Sequence, residues 1–149
     1  MKGKIIFFSI FMLALSSSKC IAQAKPNMPK SIISTSASIR TYYDDKTLKA
    51  MSKGELVELY IERMKVIIKI LPNLALASKP GVTMTDLGIP DNADNRKALD
   101  LQGEATQTYI DISVDFLRKM LPYSDKGQIV TAILFYEQTL KSLHDFDQQ

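Results

Sequence analysis

The stretch Met120-Leu121-Pro122-Tyr123-Ser124-Asp125-Lys126-Gly127-Gln128-Ile129-Val130 decides how this chain folds, because it closes one long apolar-periodic segment and opens the next almost at once. Pro122 lacks the N–H that a continuing helix needs and biases Leu121 away from helical backbone. Asp125 stands three residues before Gln128, the spacing of an N-cap and its reciprocal partner, so a new helix begins directly after Tyr123-Ser124. A turn that short makes the two helices antiparallel neighbours.

Working outward toward the C-terminus, Ile129, Val130, Ile133, Leu134, Tyr136, Leu140 and Leu143 recur at helical spacing. Ala132-Ile133-Leu134-Phe135-Tyr136 makes the middle of this helix apolar nearly all round, so other helices bury it or it covers a partner. Toward the N-terminus, Ala98, Leu101, Ala105, Ile112, Phe116, Leu117 and Met120 share a face, flanked by Tyr109 and Ile110, with Asp94 or Asn95 as the expected cap. A third long helix opens at Ser52, three residues before Glu55, with Met51 and Leu56 placed as a hydrophobic staple. Its apolar face is Leu56, Tyr60, Ile61, Met64, Ile67, Ile68 and Leu71, its glutamates lie early and its lysines late, and Pro72 ends it. Asp44 or Asp45 caps a short helical turn before it. The expected architecture is therefore all-α: an up-down bundle of three long helices over residues 44–149, with a short N-terminal helix or strap. Residues 25–43, rich in Ser and Thr, read as an extended or disordered lead-in. The openings Ser52-Lys53-Gly54-Glu55-Leu56-Val57 and Asp125-Lys126-Gly127-Gln128-Ile129-Val130 look alike, which shared capping chemistry explains without a duplication.

The first 24 residues have the parts of a cleavable secretory signal peptide: Lys2 and Lys4, an apolar run over residues 5–15, and Ala22-Gln23-Ala24 as the cleavage site. The apolar run falls well short of the roughly 20 residues that span a bilayer, so no membrane anchor is expected after cleavage. Lys19 before Cys20 breaks the lipoprotein pattern. Lys2, Lys4 and Lys19 account for the whole formal charge of +3; without them 16 basic residues face 16 acidic ones. A neutral mature chain gives no electrostatic reason to bind nucleic acid. The single cysteine also leaves with the leader, so the mature domain holds together without a disulfide. The expected location is the periplasm or cell exterior.

Little catalytic chemistry is spelled. One histidine, His144, and no mature cysteine exclude a structural zinc site, a cysteine nucleophile and an attached c-type haem. Glu58 with Glu62 and Asp111 with Asp115 are the carboxylate pairs on single helix faces, but the Glu-x-x-His step of a di-iron bundle is missing. Asp115 has Arg118 and Lys119 a turn away as ion-pair partners. The glycines are isolated, and no phosphate loop is present. No cofactor is expected. What remains is a non-enzymatic protein that binds another macromolecule, an immunity protein, adaptor or chaperone, with a protein partner. The alternative is a carrier that holds a small apolar ligand inside the bundle, with Tyr60, Tyr109 and Tyr136 as polar handles. Binding is expected on the long connection 79–92, where Val82, Met84, Leu87 and Ile89 would anchor in the partner and Asp86, Asp91 and Asp94 would form an acidic rim. If those apolar residues instead tuck the loop onto the bundle, the site moves to the surface of the first and second long helices.

Overall fold

The computed structural model describes residues 29–146, without the side chains of residues 144–146; the leader and the His144 side chain lie outside the described residues. Among the described residues four helices follow in order, α1 (Asp45–Ala50), α2 (Lys53–Ile70), α3 (Ala93–Met120) and α4 (Lys126–Phe146). The three long ones form the all-α bundle. Short 3-10 turns at Leu71–Asn73 and Leu121–Tyr123 end α2 and α3, each carrying the proline that stops the helix.

Capping chemistry starts each helix. Asp44 accepts from the Thr47 N–H at 2.7 Å and opens α1. Ser52 and Glu55 form the reciprocal box of α2, with Ser52 N–H donating to Glu55 at 2.8 Å and Glu55 N–H to Ser52 Oγ at 3.3 Å. Asp125 Oδ1 accepts from Gly127 and Gln128 at the head of α4. The α3 cap is Asn92, two residues earlier than expected, because its extended backbone lets Oδ1 take the Asn95 N–H at 2.8 Å. Asp94 instead lies in the first turn, where its charge faces the positive end of the helix.

The carboxylates of Asp44, Glu55 and Asp86 are all held below their ordinary values, chiefly by hydrogen bonds from the Thr47, Ser52 and Thr83 side chains. A depressed carboxylate stabilises the fold above its unfolded value, and that contribution disappears as pH falls through the folded one. The melting temperature should therefore stay level from about pH 7 to about pH 5 and drop below about pH 4, as circular dichroism would record.

The core has two parts. Leu48, Leu56, Val57, Ile61, Met64, Ile110, Val114, Ile129, Val130 and Ile133 form the larger, joining all four helices. The second gathers Val66 and Ile70 from α2 and Leu140 from α4 around Ile32, Ile33, Ala37, Ala77 and Met84. The described part of the lead-in, residues 29–43, is thus an extended strap that buries Ile32, Ile33 and Ala37. Two backbone hydrogen bonds hold it to the 79–92 connection, Ile32 N–H to Val82 O at 2.8 Å and Gly81 N–H to Ile33 O at 3.0 Å. Ser31 and Thr83 make the single antiparallel bridge among the described residues.

α2 and α4 lie closest along their lengths and α3 leans on α2, where Arg118 forks onto Glu58 at 2.9 and 3.0 Å. Arg118 thus joins two helices rather than pairing within α3 with Asp115. The face of α3 also differs from expectation. Ile110 and Val114 are buried, with Leu99 and Leu117 partly so, while Ala98, Leu101, Ala105, Ile112, Phe116 and Met120 point outward. The helix carries two apolar stripes, and the one that packs is interrupted by Gly103 and Thr106, which hides it in the sequence.

Candidate functional site

The connection 79–92 closes over the second core. Met84 is 5% exposed, Val82 and Ile89 pack beside it, and of the four expected anchors only Leu87, at 38%, is exposed. The acids are used locally: Asp86 accepts from Thr83 N–H at 2.8 Å and Thr83 Oγ1 at 2.7 Å, and Asp91 takes both arms of Arg96 at 2.6 and 2.7 Å. Gly88, at φ +71°, supplies the left-handed residue that turns the chain out of the Thr85–Leu87 turn. Val82, Met84 and Ile89 are brought together, then, but facing inward. Leu87, Asp86 and Asp91 sit on the outer side without forming an apolar surface.

The tyrosines do not line a cavity together either. Tyr60 and Tyr136 hydroxyls lie 3.1 Å apart with ring centroids at 5.3 Å, and Tyr109 is on the exterior at 60% exposure. Burial, reinforced by the Tyr60 hydrogen bond, pushes the Tyr136 phenol up and keeps it neutral.

A buried charge pair lies where the two cores meet. Arg63 of α2 donates to Glu137 Oε1 of α4 through Nε at 3.0 Å and Nη2 at 2.8 Å, and both side chains are almost fully enclosed. Nη1 reaches Glu62 at 2.7 Å, Nη2 also donates to Thr41 O, and Tyr43 N–H donates to Glu137 Oε2 at 3.0 Å. The Tyr43 ring lies 5.6 Å from the guanidinium carbon. Every buried side-chain polar atom among the described residues has a partner. A fully satisfied pair with no opening for a substrate is a structural clip between the strap, α2 and α4. Sequence reasoning passed over it, although a charge beside each apolar face was the available signal.

A cleft of about 570 Å³ lies between the strap, the end of α2 and α3, lined by hydroxyls and amides such as Ser31, Ser34, Asn73, Gln102 and Thr106, with Lys69. It brings no carboxylate pair together, and its other charged side chains, Lys30 and Asp100, are paired with each other. No cluster of metal-ligating side chains occurs among the described residues, and no helix among them is long and apolar enough to cross a membrane.

The exterior feature with the clearest chemistry is the outer face of α3. Leu101, Tyr109, Ile112, Phe116 and Met120 are exposed by 56, 60, 66, 58 and 48%, and Tyr123 just past the helix by 88%. Ala105 fills the remaining position of the row. Single exposed apolar residues are ordinary, but a contiguous row of this length exceeds what monomers usually leave in water. The charged flank beside it carries Glu104, Asp115 and Lys119, all exposed. Comparison with protein-family models, with curated proteins and with solved structures finds no match to this chain.

Proposed function

We propose that this is an exported, non-enzymatic protein of the periplasm or cell exterior that works by binding another protein through the outer face of α3. The observation that supports it is the row Leu101, Tyr109, Ile112, Phe116 and Met120, continued by Tyr123 in the turn that follows, held in water on a helix whose opposite side already packs the core. Aromatic and aliphatic anchors on a rigid element are the residues that carry binding energy when covered. The face replaces the 79–92 connection as the site, since Val82, Met84 and Ile89 of that loop are engaged beneath it.

The experiment is site-specific photo-crosslinking in cells, with a photoreactive side chain at Ile112 or, as control, at its exposed neighbour Asp111 on the polar side of α3. Adducts are expected from position 112 and not from 111, in an exported chain that starts at Lys25. Absence of adducts from 112, or a chain that keeps its leader inside the cell, would overturn the proposal.

A further inference from the structure

The spacing of the α3 row is regular enough to say what fits it. Leu101, Ala105, Tyr109, Ile112, Phe116, Met120 and Tyr123 advance by steps of four, four and three, a pattern that returns every 11 residues. Such a repeat averages about 3.67 residues per turn, close to the natural 3.6, so the row runs nearly straight and suits another straight helix lying alongside.

The row is also close to its own mirror order. Turned about an axis through Ile112, it sets Leu101 opposite Tyr123, Ala105 opposite Met120, Tyr109 opposite Phe116, and Ile112 opposite itself, each pair centred within one residue of Ile112. The smallest residue thereby meets a long flexible one, and the two ring residues meet each other. In antiparallel helices each flank faces the same flank of its neighbour, which places Glu104 opposite Lys119 twice, once on each side of the axis. Neither side chain takes part in an ion pair among the described residues. A parallel pair would set the charged flank against the neutral one of Gln102, Thr106 and Ser113 and make neither pair. The six large side chains expose on the order of 700 Å² per chain, near the roughly 800 Å² per partner of a standard interface.

We infer that the partner of the α3 face is a second copy of this chain, docked antiparallel about a two-fold axis at Ile112, with Glu104–Lys119 pairs on its rim. A surface that is complementary to itself under a half turn is what a closed two-fold dimer requires. This rests on the reading of α3 as the binding face and names its occupant.

Analytical ultracentrifugation of the mature chain tests it. The expected mass is twice that of the chain, and Ile112→Glu, which sets two carboxylates face to face on the axis, should halve it while leaving the helical spectrum unchanged. Glu104→Lys should weaken the dimer by at least tenfold in dissociation constant, and Glu104→Lys with Lys119→Glu should restore it. A dimer indifferent to Ile112→Glu or to Glu104→Lys overturns the proposed axis and register. A chain that stays monomeric at about 100 µM while photo-crosslinking from position 112 captures a different protein overturns the second copy and leaves the binding face standing. A monomer with no adducts overturns both.

Discussion

Arg63→Ala should destabilise the chain by about 3–5 kcal/mol in urea denaturation, a large share of the roughly 5–15 kcal/mol that holds a domain together. The reason is what it leaves behind. Glu137 is 1% exposed, and without the guanidinium its remaining partner is the Tyr43 N–H. A buried carboxylate stripped of its counter-charge loses far more than the pair contributed while intact. Thr41 O loses its donor at the same time, so the strap loosens with the core. Replacing both Arg63 and Glu137 by Met should return most of the loss, since two apolar side chains of similar length leave no unpaired charge. A single variant that unfolds within 1 kcal/mol of the parent would mean that water reaches the pair.

Ile133→Ala should cost about 2–5 kcal/mol, while Ile112→Ala, measured where the chain is dilute, should stay within about 0.5 kcal/mol. Ile133 has no exposed surface and joins α4 to the larger core, so truncation leaves a cavity that the neighbouring side chains only partly fill. Ile112 is 66% exposed, and shortening it opens no cavity. Equal losses at the two positions would place the outer face of α3 in the core and remove the basis for a binding surface.

Both variants bear on what the residue pattern conveys. α2 and α4 were legible because capping residues and apolar spacing agree: Ser52 with Glu55 opens one and Asp125 the other, and Leu56, Ile61, Met64, Ile129, Ile133 and Leu140 are all buried where the period puts them. α3 was legible as a helix but not as a face. Its outward row is longer and more apolar than its inward one, and periodicity cannot tell which of two stripes meets the bundle. The strap was obscure for a different reason. Ile32, Ile33 and Ala37 are spaced for neither helix nor sheet, and what orders them is the 79–92 connection and α4, far along the chain. The same distance hid the role of that connection, because Met84 facing inward is visible only once the strap lies beneath it. The Arg63–Glu137 clip depends on two helices in register, which no local window contains.

The strap has a further consequence for the order in which the molecule assembles. Ile33 buries against a cluster that includes Leu140, more than a hundred residues later, and Tyr43 is tied to Glu137. Local helices form within microseconds, whereas contacts between distant parts of a chain must first close a long loop. As the polypeptide emerges N-terminus first, α1, α2 and α3 can all be complete, with the strap resting on α2 and the 79–92 connection, while Glu137 and Leu140 have yet to appear. Closure of the second core then waits for the last helix, and a chain truncated before Leu140 would leave the packing around Ile32 and Ile33 incomplete.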